Sequence, residues 1–145
     1  MKFNQKSILI AVPTLNEEAN ISACLNGLYE QAPDATIVVV DGNSTDRTQQ
    51  IVRELMHDIP NLKFLENDRR IQSSGVNMAV SRCGTQAHEI LIRCDAHAVY
   101  PPDFIALILN DFNAHDIASV VVPMDATGHN AFAKGAAWIV DTVLG

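Results

Sequence analysis

Five short β-branched runs recur along the chain at nearly constant spacing. They are Ser7 to Val12, Thr36 to Val40, Leu62 to Leu65, Glu89 to Cys94 and Ile117 to Val122, with starts 29, 26, 27 and 28 residues apart. Such an interval holds one crossover helix and two short connections, which is what joining parallel neighbours requires. Between the runs the apolar period turns helical: Ile21, Cys24, Leu25 and Leu28, then Ile51, Val52, Leu55 and Met56, and later Ile105, Ile108, Leu109 and Phe112. In the third interval Val76, Ala79 and Val80 precede Cys83-Gly84, which predicts a short helix with a glycine stop. A last helix is expected from Asn130 toward Val143. Helix starts are expected at Asn16-Glu17-Glu18, Ser44-Thr45-Asp46 and Pro101-Pro102-Asp103, where cap formers or proline stand beside acids that suit the helix dipole.

A period near 27 residues also occurs in leucine-rich solenoids, but no LxxLxL pattern recurs and the segments share no sequence similarity. Near-continuous Ile/Val strands are buried on both faces, so the expected fold is α/β: a doubly wound, mostly parallel sheet with flanking helices. Residues 1–145 show no interior linker and form one expected domain. A chain of 145 residues buries about two thirds of its unfolded surface and needs no disulfide or metal staple.

Ten basic against 17 acidic residues give a formal charge of −7, which argues against a nucleic-acid partner. Cys24, Cys83 and Cys94 are odd in number and lack CxxC spacing, as expected of ordinary buried thiols in a reducing compartment. The apolar runs fall far short of the roughly 18 residues that span a bilayer, and Met1 to Lys6 lacks a signal peptide's apolar stretch. A cytoplasmic setting is therefore expected, with membrane contact only through regions outside this chain.

Ligand crevices in open parallel sheets lie at the carboxyl ends of the strands. Those places carry Pro13-Thr14-Leu15-Asn16-Glu17-Glu18, Asp41-Gly42-Asn43-Ser44-Thr45-Asp46 and Asp95-Ala96-His97. Three strands thus aim carboxylates at one edge, a costly concentration unless a cation or a ligand's donors compensate it. Asp95 and His97, two apart and on one side of an extended chain, offer the oxygen and nitrogen that suit Mn²⁺ or a related divalent ion; equally, Asp95 caps a turn and His97 is a loop residue. Asp41 either accepts from a base or ribose, or forms an Asx turn with Gly42. Ser44 and Asp46 read as cap and first-turn residues, and Arg69-Arg70 as a phosphate-binding or simply solvated pair. His57, His88, His115 and His129 read as surface or loop histidines, and Trp138 as core.

Together, Val12-Pro13-Thr14-Leu15-Asn16-Glu17-Glu18, Val40-Asp41-Gly42-Asn43-Ser44-Thr45-Asp46 and Arg93-Cys94-Asp95-Ala96-His97 resemble the nucleotide-sugar half of a family 2 inverting glycosyltransferase. Ser73 to Ala79 is similar to the segment before that family's metal motif, where Asn77 would open the crossover helix. The Asp-Ala-His form followed by Tyr100-Pro101 is nearest the bacterial exopolysaccharide branch, of the succinoglycan type.

The resemblance implies a GT-A fold and a nucleotide-binding set of Pro13, Thr14, Asn16, Glu17, Asp41, Asn77 and Asp95. It also implies a divalent metal, Mn²⁺ or Mg²⁺, at Asp95 and His97, where His97 replaces the family's usual second Asp and supplies no charge. The implied reaction is in-line displacement of a nucleoside diphosphate, UDP first among candidates, by a hydroxyl of a lipid-linked or saccharide acceptor. The family's catalytic base lies beyond the metal motif; Asp125 is too early and Asp141 reads as a helix-face residue, so the base is expected beyond Gly145. The chain is then an amino-terminal fragment that binds donor without turnover.

Three rivals stand beside it. A nicotinamide-binding Rossmann domain lacks GxGxxG after the first strand. A phospho-receiver domain would need paired acids directly after that strand. A nucleotide-binding or scaffold fragment acting through a partner is the non-enzyme alternative.

Overall fold

A computed structural model describes residues 2–122. Four parallel strands form one sheet in the order β3-β2-β1-β4: β1 (Ile8–Thr14), β2 (Thr36–Asp41), β3 (Leu62–Glu66) and β4 (Ile90–Arg93). The crossovers are α1 (Ile21–Gln31), α2 (Thr48–Leu55) and α3 (Gln72–Cys83), and α4 (Phe104–Ala114) follows β4. The chain steps outward from β1 to β2 to β3 and then returns to the other side of β1, which creates a topological switch point between β1 and β4.

Strand alternation sorts the core into two layers. Ile8, Ile10 and Val12 of β1 and Ile37 and Val39 of β2 pack with Ile21, Leu25 and Leu28 of α1, Val52 of α2, and Ile105 and Ile108 of α4. Leu9, Ala11, Val38 and Val40 face α3, meeting Ala79 and Cys83. Every residue of β1 is buried, as its unbroken apolar run requires. Gly75 lets α3 sit close, because a Cβ there would stand 3.3 Å from Val40 Cγ1 and 3.5 Å from Asn67 Nδ2. All three cysteines are free and buried.

The structure corrects several local expectations. The run Ile117–Val122 forms no strand: it pairs with none of the described strands, and Ile117, Val121 and Val122 are exposed, so its β-branched content finds no surface to cover. The third crossover is not short; α3 has 12 residues and begins at Gln72, ahead of Ser73-Ser74-Gly75, whose poor helix propensity hid it. It does stop at Gly84, where a Cβ would collide with the Val80 carbonyl oxygen. Asn77, expected to open that helix, lies in its middle on the exposed side. Asn16 and Ser44 precede their helices by five and four residues and cap neither, since α1 begins at Ile21 and α2 at Thr48. Only the Pro101-Pro102-Asp103 start matches, with α4 beginning at Phe104. The expected helix from Asn130 to Val143, together with Asp125, His129, Trp138 and Asp141, lies outside the described residues. No described helix is long and apolar enough to cross a membrane.

His88 is more than a loop histidine. Thr85 N–H donates to its Nδ1 at 3.0 Å, so the ring proton sits on Nε2 and points to Thr36 Oγ1 at 3.1 Å, tying the approach of β4 to the start of β2. Burial, with the Lys63 charge, holds its pKa below the usual imidazole value. Protonation thus favours the unfolded chain, and the stability tied to neutral His88 is lost as pH falls through the unfolded value near 6.5. Urea unfolding at about pH 7.5 and about pH 5.5 should show a smaller loss for His88→Gln than for the unaltered protein.

Candidate functional site

Beyond Ala11 the edge strand β4 parts from β1. The β1–β4 register ends at Ala11↔Arg93, with one more bond from Cys94 N–H to the Ala11 carbonyl, whereas β1 stays paired to β2 through Thr14↔Asp41. Pro13, which has no N–H to give, stands just past that divergence. The gap opens into a cleft of about 190 Å³ lined by Pro13 and Thr14 at the end of β1, Glu17 in the loop after it, Gly42 after β2, Arg70 after β3, and Asp95 and His97 after β4. A larger groove of about 580 Å³ runs along the β3 edge between Arg53, Phe64, Arg69 and Arg82, but it lies away from the switch point.

The β1 and β2 loops are stitched together by two hydroxyl relays. Asn16 N–H donates to Ser44 Oγ at 2.8 Å, and that hydroxyl donates to Asp41 Oδ1 at 2.5 Å. In parallel, Glu17 N–H donates to Thr48 Oγ1 at 2.8 Å, and that hydroxyl donates to Asp46 Oδ1 at 2.6 Å. Asn16 adds its side-chain oxygen, which accepts from Thr45 N–H at 2.8 Å, and Glu18 Oε2 accepts from Arg47 N–H at 2.9 Å. The backbone is left-handed at Asn16 (φ 55°), Asn43 (φ 62°) and Arg70 (φ 54°), so each of the first three site loops carries a residue in a sparsely populated conformation.

Asp41 is fully buried. Its Oδ2 accepts from Ser44 N–H and Gln49 Nε2, each at 2.8 Å, and Thr14 Oγ1 approaches Oδ1 at 3.5 Å. The partner of the Asx turn is thus Ser44, three residues on, and Asp41 turns into the loop while Val40 and Gly42 beside it line the cleft.

Asp95 and His97 do not lie on an extended chain. Ala98 N–H donates to the Asp95 carbonyl at 3.1 Å, and Ala96 and His97 form the middle of the resulting turn. Both side chains still line the same cleft. The turn is anchored by one hydroxyl: Asp95 N–H donates to Tyr100 Oη at 2.7 Å, and Tyr100 O–H donates to the Asp95 carbonyl at 3.1 Å. The Tyr100 ring in turn packs on Phe104 with centroids 4.7 Å apart. Arg93 holds the Asp95 carboxylate at 3.0 Å, and His97 Nδ1 meets Glu17 Oε1 at 2.9 Å. Burial pushes the Cys24 thiol up to about 11, with the charges of Glu17 and Asp95 adding to the rise. Asn77 does not reach the cleft, whereas Gln72 and Ile71, which the sequence did not single out, do.

The donor set fits a divalent ion that accepts mixed ligands. Asp95 offers oxygen and His97 offers nitrogen, which favours Mn²⁺ over the all-oxygen preference of Mg²⁺. Among the described residues no three His, Cys, Asp or Glu side chains gather to hold an ion by themselves.

The Glycosyl transferase family 2 model matches residues 9–140. The chain belongs to that family. It is 40% identical to the succinoglycan biosynthesis protein ExoA of Rhizobium meliloti (strain 1021) over 141 residues, covering 96% of this chain and 42% of that protein. The chain therefore spans about two fifths of that family 2 relative's length. Among solved structures it resembles the mannosyltransferase PcManGT from Pyrobaculum calidifontis, described in complex with GDP-Man and Mn²⁺, with a TM-score of 0.62 and 34% identity over 69% of this chain and 30% of that one. Staphylococcus aureus TarS shares the fold at a TM-score of 0.63 and 24% identity, over 83% of this chain and 39% of that one. These neighbours are GT-A glycosyltransferases, and the four-stranded parallel sheet with its flanking helices is that fold.

The second relay is testable by one isosteric change. Thr48 is fully buried, and Thr48→Val would leave Glu17 N–H without its acceptor and remove the hydroxyl among Asp46's donors. A loss of about 1–3 kcal/mol is expected in urea unfolding.

Proposed function

We propose that the chain is the donor-binding, amino-terminal part of a glycosyltransferase that moves a sugar, with inversion, from a nucleoside diphosphate sugar to a hydroxyl of a saccharide or lipid-linked acceptor in exopolysaccharide biosynthesis. One observation carries the proposal: Thr14, Glu17, Asp95 and His97, from loops 80 residues apart, line one cleft at the switch point of a parallel sheet. The 40% identity to a succinoglycan biosynthesis protein supports the pathway class, and the GDP-Man complex of PcManGT supports a nucleotide-sugar donor. UDP is the first candidate for the nucleotide and GDP the second. Three free, buried thiols suit a reducing, cytoplasmic setting.

In this mechanism the cleft walls bind and orient. Pro13 and Thr14 offer an apolar edge and a hydroxyl to the nucleoside, and Arg70 offers a guanidinium to the diphosphate. Asn16 shapes the wall through the Thr45 and Ser44 bonds, while Asp41 either holds its loop as observed or reads a base after one of its donors yields. Asn77 has no contact role in this arrangement. Asp95 and His97 would hold Mn²⁺, which supplies positive charge to the departing diphosphate. The acceptor hydroxyl gives its proton to a base that lies outside the described residues.

A cleft of about 190 Å³ is smaller than the roughly 300–1,000 Å³ of complete small-molecule sites, so the described residues form one wall of the donor site. Thermal unfolding in the presence of UDP or GDP, with and without Mn²⁺, tests it. Ligand at 100 times its Kd should add about 2.7 kcal/mol, and Asp95→Ala and His97→Ala should each reduce the metal-dependent share. A folded sample that ignores both nucleotides, with or without metal, would overturn the donor-site assignment.

A further inference from the structure

We propose that Glu17 is a positioning residue for the metal site: it grips His97 through Nδ1 and leaves Nε2 as the nitrogen free for an ion in the cleft that Asp95 also lines. The inference rests on the donor-site reading above. A carboxylate oxygen can only accept, so the 2.9 Å contact between Glu17 Oε1 and His97 Nδ1 requires the ring proton on Nδ1. A neutral ring then has its lone pair on Nε2, the atom a metal would take.

The grip has a direction. Glu17 is the fixed partner, its N–H bound to Thr48 Oγ1 at 2.8 Å and its Oε2 accepting from Asn20 Nδ2 at 3.0 Å. Its side chain is only 18% exposed, against 63% for His97. An unrestrained imidazole this exposed would have to select one tautomer and one rotamer on binding an ion, and a preset carboxylate removes that cost. Glu17 is not placed as a direct ligand, because its Oε1 is taken by His97 and its Oε2 by Asn20. Instead the carboxylate acts through the ring, making the imidazole a stronger donor and returning to the site some of the negative charge that a histidine ligand lacks.

The test is a double-mutant cycle on the full 145-residue chain, read as Mn²⁺ affinity from the free-ion electron paramagnetic resonance signal in the presence of UDP. Glu17→Gln keeps the size of the side chain and removes its charge. It should weaken Mn²⁺ binding about 10-fold, the low end of changes behind a ligating histidine. In the His97→Ala background the same change should alter Mn²⁺ affinity less than about 2-fold, because the coupling runs through the ring. UDP affinity without metal, measured by calorimetry, separates the two levels. Unaltered metal-free UDP binding together with an unaltered Mn²⁺ affinity in Glu17→Gln overturns the role of Glu17 and leaves the donor site standing. An equal loss with and without His97 also overturns it, by making Glu17 a contact independent of the ring. An unsubstituted chain that binds neither UDP nor Mn²⁺ overturns the donor-site reading and this inference with it.

Discussion

β1 is hydrogen-bonded on both edges up to Ala11 and on one edge only beyond it. The rest of the molecule follows from that change. Up to Ala11 the strand is the centre of the sheet, buried on both faces and flanked by helices, and it supplies much of the core. Past Ala11 the chain still needs β2 to satisfy its backbone, yet β4 has turned away at Cys94, and the space between them is where polar residues can be brought together without breaking the ladder. Core and cleft are thus two halves of one strand, divided by where its second neighbour leaves.

The acidic edge of the sheet is tolerable because its charges are met individually. Asp41 and Asp46 are each satisfied by a hydroxyl and a backbone N–H, Asp95 by Arg93, and Glu17 by Asn20 and His97. Charge-assisted bonds of this kind are stronger than neutral ones, and in a protein interior they substitute for lost water. Asp41, which has no accessible surface, is held by Ser44 and Gln49 just after it. Asp46 also reaches the neighbouring loop by accepting from Glu18 N–H, and the cleft-wall acids Asp95 and Glu17 hold exposed partners.

How legible this was in the sequence depends on the range of the interactions involved. Four of the five expected strands and their parallel sense could be read directly, since near-continuous Ile/Val runs are local signals. The three motifs named the family before any coordinate did. Asn16 and Ser44 misled because cap formers beside acids look the same whether they close a helix or bridge to a loop nearly 30 residues away. The full α3 was hidden by Ser73, Ser74 and Gly75, where close packing on Val40 outweighs helix propensity. At Ile117 to Val122 the opposite held: strand-like composition forms no strand where none of the described strands is placed to receive it. The Glu17–His97 contact spans 80 residues and leaves no trace in local sequence, although each member stood out alone.

The two hydroxyl relays bear on how quickly a ligand would be held. They order the β1 and β2 loops through bonds made wholly within the protein, so an arriving molecule meets a wall whose entropy has already been lost. Association is then set by diffusional encounter rather than by loop closure, and related ligands would differ mainly in how long they stay.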